Sequence, residues 1–415
     1  MTGFSTKAIH GIRLTGDSSR KDVHGSLRMP VYDSAAFEYE SSKELQLAFE
    51  GKLNTHSYSR ISNPTVEDFE QRVRLLSDAL GVIAVSSGMA AIANVLITLA
   101  EAGSNIVTTR FLFGNTLSLL GKTLKDWGLE TRFVDMSEPE SIERIIDDGT
   151  RAVFLEVITN PQLEVADVKK ITEIAHSRRI PVIVDGTLTT PYIFKSKDFG
   201  VDIEIISSTK YMSGGATSVG GVIIDNGLFD WSRCGKLKED SQKYGNFTLL
   251  AKLKREVFRN LGSCLSPHNA YLQTLGLETM SLRIDKSCAN ALEMARFLER
   301  HPVAKSVRYP GLESSRFHEI AVAQFGNKFG GLLTFELGNR DDCYRFMDNL
   351  RIIRRATNLN DNKTLVLHPA STIFCEFSVE QKKEMGVSDS MVRLAAGIED
   401  SEDILEDIEQ ALEVI

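Results

Sequence analysis

The sequence predicts an α/β fold: a large, mostly parallel seven-stranded sheet with helices on both faces, followed by a smaller C-terminal α+β domain. Three observations predict it. Short β-branched runs recur from about Asp78 onward, polar helical segments lie between most of them, and the runs are continuously apolar rather than alternating. A strand buried on both faces needs apolar side chains at every position, and repeated βα units of this length build a parallel sheet.

The elements follow in order. Residues 1–60 carry Gly, Ser and His with little periodicity, and read as an irregular arm that must pack on something, such as a second subunit. VIAVS (82–86) is the first strand, and SSGM (86–89) opens an apolar helical stretch, AAIANVLITLA. NIVTT (105–109), TRFVD (131–135), AVFLEV (152–157), PVIVDG (181–186), IEIISST (203–209) and VGGVIID (219–225) supply six more strands, so residues 61–265 form the large domain. After Asp225 the pattern changes. Residues 226–260 are charged and irregular, and a helical stretch follows at about 266–300. GGLLTFEL (330–337), LVLHP (365–369), VRLAAGIE (392–399) and an acidic final helix make residues 266–415 the α+β domain.

Composition narrows the function. The 415 residues are 42% hydrophobic and 25% charged, an ordinary globular balance. A net charge of −8 leaves no basic footprint for nucleic acid. The longest apolar stretch, Ala90–Ala100, is too short to span a bilayer and holds Asn94 and Thr98, so no membrane span is expected. The start, MTGFSTKAIH, shows no secretory h-region. Five scattered cysteines (Cys234, Cys264, Cys288, Cys343, Cys375) include no C-x-x-C, which argues against a disulfide framework or a metal site and for a reducing, cytoplasmic setting.

Several short motifs bear on chemistry. GKT at Gly121–Thr123 is not a phosphate-binding loop, because the glycine required five positions earlier is Thr116. No G-x-G-x-x-G follows the early strands, so a dinucleotide fingerprint is absent. SSGM places small residues at a helix N-terminus, where free N–H groups suit a phosphate, although a serine cap alone opens many helices. Asp185 ends a strand, the edge where ligands of open α/β sheets gather; a turn-capping role is the alternative. Lys210 ends the next apolar run, between Thr209 and a tight MSGGATSVGG turn, a poor setting for a solvated surface lysine. A helix N-terminus for phosphate, a carboxylate for a pyridinium nitrogen and a lysine for an imine are together the needs of pyridoxal 5′-phosphate.

At this point the chain resembles the Cys/Met-metabolism (trans-sulfuration) family of pyridoxal-phosphate enzymes, which share the type I aminotransferase-like fold. The resemblance runs through YSRISNPT (58–65), SSGMAA (86–91), NPQLEVAD (160–167), VDGTLTTP (184–191), SSTKY (207–211), LSPHNA (265–270), LVLHPAST (365–372) and VRLAAGIED (392–400). It implies that Lys210 forms the imine with the cofactor aldehyde and, once released, serves as general base. Asp185 would hold the pyridine nitrogen protonated and Asn160 would contact the ring 3′-oxygen. Ser87, Gly88, Met89, Ser207 and Thr209 would seat the phosphate, with the glycines after Lys210 turning the backbone close to the cofactor. Tyr58 and Arg60 would reach the phosphate of a neighbouring subunit, which implies a catalytic dimer and a homotetramer. Arg393 would clamp the substrate α-carboxylate as a bidentate fork, assisted by Asn358.

Within the family, NPQLEVAD, LSPHNA with LGLETMSLR, LVLHPAST with GIED, Asn358 and the long stretch holding FDW (229–231) resemble the O-acetylhomoserine sulfhydrylases. The implied reaction is γ-replacement on O-acetylhomoserine by sulfide, another thiol or a sulfur-carrier protein, giving homocysteine or methionine. Methionine γ-lyase and cystathionine-type lyases are the alternative; the characteristic lyase cysteine is Asn115 here. Three positions depart from the family pattern: its ring-stacking tyrosine is Phe113, the asparagine after the ring aspartate is Gly186, and STIFCEF (371–377) lacks its histidine. Without that hydroxyl, proton transfer at Cγ would pass to Tyr58 or rest on Lys210 alone.

Overall fold

In the computed structural model, which describes residues 2–16, 22–53 and 55–415, the seven expected strand runs join in one sheet. They are β1 (Gly81–Val85), β2 (Asn105–Thr108), β3 (Glu130–Phe133), β4 (Thr150–Glu156), β5 (Val182–Asp185), β6 (Ile203–Ile206) and β7 (Gly221–Asp225). Their spatial order is β1-β7-β6-β5-β4-β2-β3. Only β7 opposes the rest, pairing antiparallel with both β1 and β6. The other neighbours are parallel, so the carboxyl ends of β4, β5 and β6 lie side by side.

Both faces of this sheet are dry, as continuous apolar runs require. Val107, Val153, Leu155, Val184, Val222 and Ile224 face one core, and Ile106, Phe154, Ile183, Ile205 and Ile223 face the other. The first core continues into a second sheet made of β8 (Lys305–Arg308), β9 (Leu332–Glu336), β10 (Arg354–Arg355), β11 (Leu365–Leu367) and β12 (Met391–Ala395), ordered β10-β11-β12-β9-β8. The helix Met280–Arg300 buries Ile284, Ala291 and Ala295 in that same core. Register pairs Arg393 of β12 with Leu367 and Thr334, which fixes its place in the middle of the second sheet.

The structure differs from the sequence reading where elements are short and polar. Among the described residues the arm holds two α-helices, Phe4–His10 and Ser42–Phe49, and a 3-10 helix, Gly11–Thr15, rather than being wholly irregular. The second α-helix has a modest apolar face but buries no residue. Residues 1, 17–21 and 54 of the expected arm lie outside the described residues. The segment 226–260 also contains helices, Lys238–Tyr244 and Thr248–Lys252, the latter continuing helically to Leu261. Its FDW motif is an anchor: Phe229 and Trp231 are buried in the second core with ring centroids 5.0 Å apart. β8 went unseen because KSVR is an edge strand with exposed residues.

The start of β7 meets the turn after β1 tightly at Gly221. A Cβ there would lie 2.3 Å from the Ser87 carbonyl oxygen and 2.8 Å from the Gly88 nitrogen. Gly221→Ala is therefore expected to displace the β1–helix turn and to cost roughly 1–3 kcal/mol of stability by overpacking. A chemical denaturation midpoint no lower than that of the parent chain would contradict this.

Candidate active site

A cavity of about 200 Å³ opens where β4, β5 and β6 end. Side chains at the carboxyl ends of adjacent parallel strands converge there by topology, as in open α/β sheets generally. One wall is the N-terminus of the helix Gly88–Leu99. Ser87 caps it, its Oγ accepting from the Ala90 amide at 3.0 Å. The amides of Gly88 and Met89 belong to the first turn, which has no intrahelical acceptor, and they carry the positive end of the helix dipole. Ser207 and Thr209 face them from the β6 end. Gly88 must be small: a Cβ would lie 2.8 Å from the Ser207 Cβ. The result is a cradle of small residues and N–H groups with the chemistry of an anion seat.

Asp185 closes β5 and lines the cavity. Its Oδ1 accepts from the Thr187 amide at 2.9 Å, while the Thr187 hydroxyl accepts from the Ser207 amide at 2.8 Å. The turn after the aspartate thus orients the carboxylate and joins it to the anion seat. Directly across the ladder stands Glu156, the last residue of β4. Its two oxygens accept from the Phe113 amide (2.6 Å) and the Asn160 amide (3.0 Å). Burial raises both carboxyls, and the Asp185 charge lifts Glu156 further, well above the ordinary carboxylate range. Two adjacent buried carboxyls hold one charge more readily than two.

On the opposite side sit two cations. Lys210 Nζ donates to Asn358 Oδ1 at 2.5 Å. Arg393 Nη1 donates to Asn160 Oδ1 at 3.0 Å and Nη2 to the Asn358 carbonyl at 3.1 Å, while its buried Nε has no partner. Both cations are thus held by neutral oxygens. Asp361 accepts from Asn358 Nδ2 at 3.0 Å, which turns the amide so that its oxygen faces the lysine. Burial, then the Arg393 charge, brings Lys210 down to about 8, against a counter-pull from Asp361. Burial brings Arg393 down to about 9.

The cavity brings together Ser87, Gly88, Met89, Phe113, Asn160, Asp185, Ser207, Thr209, Lys210 and Arg393. Asn358 joins them through its bonds to Lys210 and Arg393. Tyr58 and Arg60 do not line it. They are exposed, with the Arg60 guanidinium 5.4 Å from the Tyr58 ring centroid and Nη1 on the Arg259 carbonyl. The glycines after Lys210 divide: Gly221 packs against Ser87 and Gly88, which line the cavity, and two others lie elsewhere. Gly214 and Gly215 take positive φ (85° and 114°) and press on Gly276 and Asn362, serving packing rather than the cavity wall. The sequence reading missed Glu156, Thr187 and Asp361. Glu156 carried the same signal as Asp185, a carboxylate closing an apolar strand run. Among the described residues no acidic, histidine or cysteine cluster could hold a metal ion, and no helix is long and apolar enough to cross a membrane.

An anion seat, an orienting carboxylate and an accessible lysine of low proton affinity fit pyridoxal 5′-phosphate, and the sheet that carries them is that of a fold type I enzyme using this cofactor. The chain belongs to the Cys/Met metabolism PLP-dependent enzyme family, whose model matches residues 6–413. It is 35% identical to a homocysteine/cysteine synthase of Saccharomyces cerevisiae, covering 99% of this chain and 98% of that one. An O-acetylhomoserine sulfhydrylase of Wolinella succinogenes shares 51% identity and superposes with a TM-score of 0.78, covering 85% of this chain and 99% of the other. A Campylobacter jejuni protein named as an O-acetylhomoserine (thiol)-lyase superposes with a TM-score of 0.91 at 33% identity, covering 99% and 100%, and holds N′-pyridoxyl-lysine-5′-monophosphate.

The lowered Lys210 sets a pH expectation. A lysine that loses its proton near 8 in the folded chain and near 10.5 in the unfolded one binds fewer protons when folded between those values. Stability of the cofactor-free chain therefore rises with pH across that window and carries the cost of the buried cation below it. The rate at which the lysine reacts with added pyridoxal phosphate should climb to about pH 8 and then level off. Arg393→Gln removes a neighbouring cation and should move that plateau to higher pH. A rate still climbing at pH 10 in the parent chain would contradict the assignment.

Proposed function

We propose that this chain catalyses pyridoxal-phosphate-dependent γ-replacement on O-acetylhomoserine, joining a sulfur nucleophile to Cγ and releasing acetate. Sulfide would give homocysteine and methanethiol would give methionine. The observation that carries the amino-acid part is Arg393: a buried guanidinium with an unpartnered Nε, opening on the same cavity as Lys210. An α-amino acid offers a carboxylate to the first and an amine beside the second. The choice of an acyl-homoserine rests on kinship with proteins named for that substrate.

Each residue then has a task. The bound cofactor supplies an electron sink for the substrate's α-carbon. Asp185 keeps a negative charge where the pyridine nitrogen would lie, holding a proton there. Lys210, poised near neutrality by burial, takes the α-proton and returns protons along the substrate chain. Arg393 and Asn358 orient the carboxylate, and Asn160 and the Gly88–Met89 turn fix ring and phosphate. Phe113 walls the cavity without a hydroxyl, so proton transfer on that side falls to Lys210. Ile92, Ile158, Leu188 and Leu359 add apolar lining, which favours a thiol over water as the incoming nucleophile.

Three further readings accompany this one. The exposed Tyr58–Arg60 pair suits a neighbouring subunit's phosphate, so the working form is a catalytic dimer, paired again as a homotetramer. Residues 1–60 act as the arm that reaches across, 61–265 as the cofactor domain and 266–415 as the α+β domain. Five free cysteines fit a cytoplasmic setting.

The test is acetate release from O-acetylhomoserine with sulfide, methanethiol or a protein thiocarboxylate as donor. Release that depends on one of these donors is expected. No consumption of the ester with any of them would sink the proposal, and ammonia with a 2-oxoacid in the absence of donor would point to an eliminating lyase instead. Lys210→Ala should yield a colourless, inactive protein. Arg393→Lys should raise the KM for the amino acid by about tenfold or more, since a point charge replaces a bidentate fork. An unchanged KM would remove Arg393 from the carboxylate site.

A further inference from the structure

The face of the sheet opposite the cavity holds an acid that none of the roles above uses. Glu204 lies in the middle of β6 and is 0% exposed. Its ladder neighbours are Val184 on β5 and Ile224 on β7, both in the first core. Asp185 is one residue further along β5 and so projects to the other face, toward the cavity. Of the Glu204 oxygens, Oε2 accepts from the Ser196 hydroxyl at 2.6 Å, and that hydroxyl accepts from Asn226 at 3.0 Å. Oε1 has no partner. It lies against the α-carbon of Gly186: a Cβ there would sit 2.2 Å from Oε1 and 3.1 Å from Cδ.

Gly186 begins the turn that orients Asp185. Its amide donates to the Ile205 carbonyl at 2.9 Å, and its carbonyl accepts from the Thr189 and Thr190 amides at 3.1 and 2.7 Å. One residue on, Thr187 holds both the Asp185 carboxylate and the Ser207 amide. The carboxyl of Glu204 therefore fills the space that any larger residue at 186 would need.

We propose that Glu204 is a positioning residue, a wedge behind the sheet whose carboxyl packs under Gly186 and holds the Asp185–Thr190 turn, and through it the Asp185 carboxylate, in register with the cofactor. Burial, opposed by the Ser196 hydrogen bond and joined by the Asp185 charge, raises the Glu204 carboxyl to about 8. At neutral pH the wedge is mostly the neutral acid, which a glutamine side chain imitates in size and polarity. The inference rests on Asp185 facing the pyridine nitrogen.

The test uses the holoenzyme. Dissociation constants for pyridoxal phosphate, from loss of visible absorbance on serial dilution, and the position of the absorbance band are compared among variants. Glu204→Ala should weaken cofactor binding by about tenfold and shift the band, while Glu204→Gln should stay within about threefold of the parent. Gly186→Ala should weaken binding on its own, and Gly186→Ala/Glu204→Ala should bind more tightly than either single variant, the methyl group occupying the vacated space. Additive losses in the double variant would overturn the proposal. So would a Glu204→Ala protein that melts earlier but keeps the parent's affinity and band, since that describes packing alone. If Gly186→Ala fails to fold, the Ala and Gln variants of Glu204 decide the matter. Asp185→Asn separates the two readings. A changed band there with none in Glu204→Ala overturns the wedge alone, and an unchanged band in Asp185→Asn overturns the reading of Asp185 together with the wedge.

Discussion

Two cations, Lys210 and Arg393, share one cavity and are held there by neutral oxygens, and the rest of the site is organised around that cost. A buried charge without a counter-charge is expensive, and both groups bind their protons less tightly as a result. Neutral acceptors, Asn160, Asn358 and the Asn358 carbonyl, take hydrogen bonds from both groups without cancelling the field, and Arg393 Nε is left without one. The cavity therefore stays attractive to an anion. A structural salt bridge at Arg393 would have stabilised the chain and closed the site in the same stroke. Asp361 pulls on Lys210 but accepts its hydrogen bond from Asn358, while Glu156 and Asp185 close neighbouring strands and are tied to backbone amides.

The sheet does the separating. Glu156 and Asp185 close β4 and β5 in direct register, so strand pairing sets their spacing, and Lys210 lies just beyond the end of β6, the next strand. This is why the centre of the site was legible in the sequence. A polar residue closing a continuous apolar run is a local signal, and Lys210 and Asp185 both carry it. Glu156 carries it less clearly, because AVFLEV runs on for one more apolar residue and hides its end. Arg393 and Asn358 were read only through family resemblance; nothing in VRLAAG or ATNLND shows that the two meet.

Glu204 marks the limit of such reading. Inside IEIISST a lone glutamate looks like an interruption of a strand, and its neighbours in the sequence are all buried apolar residues. Its position acquires meaning only from the register with Val184, which puts it on the face away from Asp185, and from the bare α-carbon of Gly186. Both facts involve pairs of residues far apart in sequence. The helix Ser42–Phe49 is a different case: it has a modest apolar face but buries no residue.

Phe113 puts a ring on the cavity wall that offers no hydroxyl. Its backbone amide donates to Glu156, which anchors the residue there, and a phenyl ring exchanges no protons. The burden of proton transfer in the proposed reaction then falls on Lys210, and the structure gives that amine a defined resting point on Asn358. Asp361 holds the amide from the other side, so Asn358 can present only its oxygen to the lysine without losing a hydrogen bond. An acceptor at that point favours an amine that still carries a proton, and the proximity of Arg393 favours one that has lost it. Opposed influences of this kind keep a lysine close to the balance that a group acting as both base and acid requires.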